Sequence, residues 1–256
     1  MVTPLEDQPR LVFRNNPLKL VVAQVRFPPL YSLEQAAGVA DFQAAIREIF
    51  PVAETRAQEV SVTVGPGVVG SAQTRPGPWR FLSADGRYVA AIGTDFLNLE
   101  TNRYERFEAF ESRFKSLLEA ARSTLAIDRR LRLGLRYVDE MQHPSAVKVT
   151  DWRQLLRPEL LGIAAGEMLA DRVTQALQQI SVEMDDGKLT IRHGYLGTDG
   201  SSTYAIDVDA YDEANEPLDI EKTMGDLMRF KRWAWSFFRQ SINDVMVEYL
   251  GPEALT

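Results

Sequence analysis

The chain has 256 residues, long enough to bury a sizeable core as one large domain or two modest ones. Its 36 acidic side chains against 29 basic ones give a net charge of −7, which disfavours non-specific phosphate neutralisation but leaves room for a local basic patch. With no Cys in the sequence, disulfides, thiolate nucleophiles and Cys-ligated metal sites are excluded; with no basic-then-apolar start and no apolar run of spanning length, a cytoplasmic location is the expectation.

Residues 1–14, carrying Pro4, Glu6, Asp7 and Pro9, read as a loose arm. Asn15-Asn16-Pro17 is turn chemistry ahead of a first strand, Val21 to Phe27. There Val21, Ala23, Val25 and Phe27 share one face, and Gln24 and Arg26 the other. Pro28-Pro29 stops the strand, because proline brings no N–H to a ladder. Ser32 is the predicted N-cap of a helix from Leu33 to Phe50, weakened near its start by Gly38. Strands are predicted at Val60 to Val64, Trp79 to Leu82 and Tyr88 to Leu99, with Asp85-Gly86 as a hairpin turn. Thr101 precedes a long helix, Arg103 to Leu125, whose stripe is Phe107, Phe110, Phe114, Leu117, Leu118 and Ala121.

The order of elements then repeats. Arg129 to Asp139 alternates strictly, with Leu131, Leu133, Leu135 and Tyr137 on one face and Arg132, Gly134, Arg136 and Val138 on the other. Leu135-Arg136-Tyr137 takes the part that Val25-Arg26-Phe27 took before. A short helix is predicted from Trp152 to Leu161, and Met168 to Leu177 is helix or strand. Three strands follow, Gln179 to Met184, Leu189 to Tyr195 and Thr203 to Tyr211, joined at Asp185-Asp186-Gly187 and at Gly197 to Ser202. A last helix runs from Ile220 to Tyr249 and ends at Gly251-Pro252. The expectation is an α+β fold of two pseudo-repeated halves, residues 15–127 and 128–256, forming one compact unit. Antiparallel curved sheets would carry long helices on one face, a layout similar to TATA-binding-protein-like folds that carries no function with it.

No catalytic residue, cofactor or metal emerges from the motifs. Gly65-Pro66-Gly67-Val68-Val69-Gly70 has dinucleotide-binding spacing, but Pro76, Gly77 and Pro78 stand where the phosphate-holding helix should begin. Ser145-Ala146-Val147-Lys148 has the spacing of a serine nucleophile and lysine base without the partner motifs. His143 precedes a proline in a loop. His193 sits on the apolar side of its strand, as a hydrogen-bonded core residue or as part of a Ser–His–Asp arrangement assembled in space.

Charged side chains on strand faces carry more. Asp207 and Asp209 share one face, and Asp95 holds the comparable place in the first half. These acids could bind a divalent ion, or pair with Arg26 and Arg136 on neighbouring strands. Two equivalent arginines would also make a fork for a partner's carboxylates or a small anion. The last helix carries Phe230, Trp233, Trp235, Phe237, Phe238 and Ile242 over more than one face, alongside Arg229, Lys231, Arg232 and Arg239. That pattern fits deep burial, a face shared with another copy of the chain, or single-stranded nucleic acid.

Several of these stretches together resemble a sporadically distributed family of bacterial proteins of about this length that has no assigned activity. They are Asn16-Pro17 leading into Val25-Arg26-Phe27, Arg80-Phe81-Leu82-Ser83 with Asp85-Gly86, Asp95-Phe96-Leu97, Leu133-Gly134-Leu135-Arg136-Tyr137-Val138-Asp139, and the closing aromatic helix. The resemblance spans nearly the whole chain in short motifs. It departs where the family often has a histidine early in the last helix, since that region here is Arg229-Phe230-Lys231. Patchy distribution implies an accessory setting such as a defence or toxin-neutralising system, and no reaction.

Three functions remain open. One is a non-catalytic binding or adaptor protein using Arg26, Arg136, Asp207 and Asp209 toward a protein partner. Another is an enzyme or sensor holding a small anion between the halves through Arg26, Arg136 and Asp207, with His193 as a further candidate. The last is a nucleic-acid binder using Arg129, Arg130, Arg229, Lys231, Arg232 and Arg239.

Overall fold

The computed structural model describes residues 5, 7–62, 72–169, 172–198 and 200–253. The glycine-rich stretch from Gly65 to Gly70 lies outside the described residues. Strand-forming alternation and helical stripes combine into an α+β fold with antiparallel sheets and long helices. The chain forms two units, each discontinuous in sequence.

One unit comprises residues 22–133 and 213–224. Strand β1 (Leu18–Arg26) enters it at Val22, and helix α1 (Ala36–Ile46) follows. Next come β2 (Trp79–Leu82), β3 (Tyr88–Ile92), β4 (Phe96–Thr101) and helix α2 (Phe107–Leu125). Its sheet runs β1, β4, β3, β2 and a two-residue strand, Val52–Ala53. Phe27, Phe42, Phe81, Leu99, Phe110, Phe114 and Leu117 are buried, as the alternation and the α2 stripe require.

Three local expectations are corrected here. The predicted helix from Leu33 to Phe50 is a 3-10 turn, Tyr31–Glu34, followed by α1 from Ala36, and Ser32 does not cap it. The turn passes so close that a Cβ on Gly38 would lie 2.0 Å from the Ser32 carbonyl oxygen, so Gly38 permits the crossing. The single strand predicted from Tyr88 to Leu99 is broken at Gly93, whose N–H donates to the Phe96 carbonyl (2.9 Å). The Phe96 ring fills the space a Gly93 Cβ would take. Helix α2 starts four residues later than predicted, because the Thr101 hydroxyl accepts the Arg103 N–H (3.1 Å) and closes a turn instead. Ala72–Pro76 is a strand paired with Gln58–Val62.

The other unit comprises residues up to Val21, 134–212 and 225–256. Strand β5 (Arg132–Met141) enters it at Gly134. It is followed by β6 (Gln175–Met184), β7 (Gly187–Thr198) and β8 (Ser201–Asp212). Helix α3 (Ile220–Ser241) joins this unit at Gly225, and α4 (Asp244–Leu250) follows it. The sheet order is β6, β7, β8, β5, with the opening of β1 beyond; the Glu140 N–H donates to the Pro17 carbonyl at 2.9 Å.

The last helix is two helices, not one to Tyr249. The segment before Pro158 captures the backbone at the break: Arg157 N–H donates to the Ser241 carbonyl, Asn243 N–H to that of Leu155, and the Asn243 amide to that of Leu156. Those bonds replace the helical ladder for two residues. Near the N-terminus, Val12–Phe13 pairs with Pro252–Glu253, and the Phe13 ring packs on Trp235 and Phe238. None of the described helices is long and apolar enough to cross a membrane.

Candidate functional site

A tight connection between β7 and β8 sets the site. Pairing Thr198 with Ser201 at the turn places Arg192 opposite Asp207 further along the hairpin. The β6–β7 hairpin then sets Gln179 opposite Arg192. On β5, Arg136 faces the same way. The result is a row of polar side chains on one sheet face, Gln179, Arg192, Asp207 and Arg136. The apolar face, with Leu133, Leu135, Leu189, Ile191, Tyr204, Ile206 and Val208, is buried.

Asp207 is the hub. Arg136 donates to it with both arms, Nε to Oδ1 at 2.7 Å and Nη2 to Oδ2 at 2.8 Å. Arg192 adds Nη1 to Oδ2 at 3.4 Å and gives its Nε–H to the Gln179 amide oxygen at 3.0 Å. The carboxylate is 12% exposed, and the two guanidinium side chains are each 44% exposed. The hydrogen bonds that Arg136 donates to Asp207 raise its pKa above the usual value, opposed by burial and helped by the charges of Asp207 and Asp209. Asp209 lies opposite Thr190 on the same face.

In the other unit Arg26 stands 3.9 Å from Asp95, both well exposed. Each opening-strand arginine therefore has an acid partner within its own unit.

The basic residues considered for nucleic acid are distributed otherwise. Arg130 is buried against Glu216, whose carboxyl is held below its usual pKa mainly by the Lys222 hydrogen bond. Arg129 donates to the Asn215 side chain at 2.6 Å. Arg229 pairs with Asp226 at 2.8 Å and lies over the Phe230 and Trp233 rings. Arg239 reaches Asp244 and the Ile242 carbonyl, Lys231 is half-buried, and Arg232 is exposed. Among the α3 rings, Phe230 and Phe238 are buried, and the Trp235 indole donates to the Pro9 carbonyl.

His193 is buried and within 2.8 Å of the Tyr204 hydroxyl through Nδ1. Tyr204 donates its one proton to the Leu160 carbonyl at 2.9 Å, so His193 is the donor in the pair. Burial lowers the His193 pKa. Ser145 and His143 form a local turn in which Nδ1 accepts the Ser145 N–H and faces its hydroxyl at 2.8 Å. An open groove of about 840 Å³ is lined by Glu119, Asp128, Asp219 and Glu221 with one cation, Arg122, which is the wrong charge for an anion. Among the described residues no group of three or more metal-ligating side chains is placed to hold an ion.

Arg192 and Gln179 were not singled out from the sequence. The signal that finds them is hairpin arithmetic, counting back from the turn once its length is known.

No protein-family model and no curated protein matches the chain. One solved structure, the di-domain ARO/CYC StfQ from the steffimycin biosynthetic pathway, aligns over 86% of this chain and 96% of its own at 8% identity. Its TM-score of 0.19 is too low to carry an argument about fold or function.

Proposed function

We propose that this is a non-catalytic binding or adaptor protein that recognises a protein partner through the polar sheet face around Arg136, Arg192 and Asp207. The observation that carries the reading is the shared carboxylate: two half-exposed arginines converge on one partly covered acid. Guanidinium groups held in this way are pre-oriented yet keep N–H donors in water. A partner's carboxylates or carbonyls can join such a network without stripping a bare charge of solvent. Arg26 with Asp95 extends the same chemistry to the opening strand of the other unit. The engagement of Arg129, Arg130, Arg229 and Arg239 within the fold weighs toward a protein partner over phosphates.

The wider setting of this reading is a cytoplasmic protein of a bacterial defence or toxin-neutralising system, as the family resemblance suggests. Its architecture is taken as two related halves with a TATA-binding-protein-like plan. Supporting that plan, each opening strand lies beside the last strand of the meander that follows it, β1 beside β4 and β5 beside β8. Quantitative affinity purification from the native cell is the test, comparing wild type with R136A/R192A after circular dichroism shows an equal fold. Partners enriched by the wild type should be lost from the variant. Equal enrichment of every partner would refute the sheet face as the recognition surface.

A further inference from the structure

Strand β6 ends its sheet, and among the described residues nothing pairs with its outer side. It is ten residues long, and its pairing with β7 runs unbroken from Gln175 opposite Leu196 to Met184 opposite Gly187, without a bulge. Natural edge strands are usually protected by shortness, proline, lysine or a bulge. The terminal strand of the other unit follows that rule, being two residues, Val52–Ala53. β6 follows none of it. Its sequence, QALQQISVEM, has no proline, no lysine and a single charge, Glu183.

Apolar side chains are exposed along the same edge. Leu177 is 72% exposed and Ile180 45%. The turn that carries exposed Ile163 runs beside the strand, where a Cβ on Gly162 would lie 3.5 Å from the Gln178 amide nitrogen. Met168 and Leu169, also exposed, follow that turn.

We infer that β6 is a homodimerisation edge, paired antiparallel with β6 of a second copy about a twofold axis at Ile180. The strand is complementary to itself in that register. Ile180 meets Ile180, Gln179 meets Ser181, Gln178 meets Val182, Leu177 meets Glu183 and Ala176 meets Met184. Glu183, the one charged residue, faces an aliphatic side chain and never its own copy, so no like charges oppose each other. Ala176, Gln178, Ile180, Val182 and Met184 form a largely apolar row that continues across the axis. The polar face carrying Gln179 and Arg192 continues across it too. The dimer does not depend on the partner reading above, and would present that face twice.

Sedimentation equilibrium and site-directed cross-linking test it on the full chain. The wild type is expected to be a dimer whose melting temperature rises with protein concentration, and I180K, which sets two ammonium groups face to face at a half-exposed position, a folded monomer by circular dichroism whose melting temperature does not depend on concentration. Because the chain has no cysteine, I180C offers a single thiol, which should oxidise to a covalent dimer far faster than the exposed loop variant V147C. A wild type that stays monomeric up to its solubility limit, or an I180K variant that still dimerises, overturns the proposal. If I180K fails to fold, the cross-link decides: preferential I180C dimers support the edge, and oxidation no faster than V147C overturns it.

Discussion

Arg136 holds Asp207 edge-on, with two parallel bonds of 2.7 and 2.8 Å, while Arg192 reaches the same carboxylate from the strand on its other side. Two cations thus depend on one acid. D207A should therefore cost more stability than either arginine truncation, about 1–2 kcal/mol against about 0.5–1 kcal/mol for R136A, whose side chain is nearly half in water. Urea denaturation midpoints of the variants check the order. Equal midpoints for D207A and wild type would mean the network contributes nothing to folding.

Asp139 is buried, and burial pushes its carboxyl up to about 8. In the unfolded chain it ionises near the ordinary value of about 3.9. Between those pH values the folded protein keeps a proton that the unfolded chain has released. Unfolding free energy therefore falls as pH rises, by up to about 1.4 kcal/mol per pH unit from this group. The contribution is whole below about pH 4 and lost once pH passes the folded value near 8. D139N removes the titration, so its melting temperature should gain on the wild type steadily from pH 4 to pH 8. Parallel pH profiles for the two proteins would show that Asp139 ionises normally in the fold.

Trp152 is fully buried, and its indole N–H donates to the Ser202 hydroxyl at 2.8 Å; that hydroxyl donates in turn to the Ala146 carbonyl at 2.8 Å. S202A leaves a buried donor and a buried acceptor without partners. The expected loss is about 1–3 kcal/mol, with a change in tryptophan emission in the folded state. Thermal unfolding followed by fluorescence reads both.

Ala126 ends α2 in the left-handed region, at φ 52° and ψ 35°, where a Cβ is disfavoured. A126G relieves that conformation and should stabilise the protein by about 1 kcal/mol, offset in part by the freer unfolded chain. A lower melting temperature for the variant would show that the alanine methyl contributes packing that outweighs the backbone strain.

Local rules reached far into the fold. The β5 alternation placed Arg136 on the polar face and Leu135 in the core, and the α2 stripe named the rings that are buried. They failed where distant chain intervened. Gly38 looked like a weak spot in a helix because the neighbouring 3-10 turn was not foreseen. The break after Ser241 has no mark in its own sequence; it is made by carbonyls and N–H groups of residues 155–157, far away along the chain. Of the charged row, Asp207 and Arg136 could be picked out from alternation. Arg192 required the length of a turn.

The sequence by itself determined which side chains share a face, because that depends only on the two-residue period of a strand and the helical repeat of about 3.6. Tertiary structure decided which faces adjoin: that Arg136 meets Asp207 and shares it with Arg192, that Asp139 is shut away from water, and that β6 is left at an edge. Strand order depends on packing summed over the whole chain, and no local pattern encodes that sum.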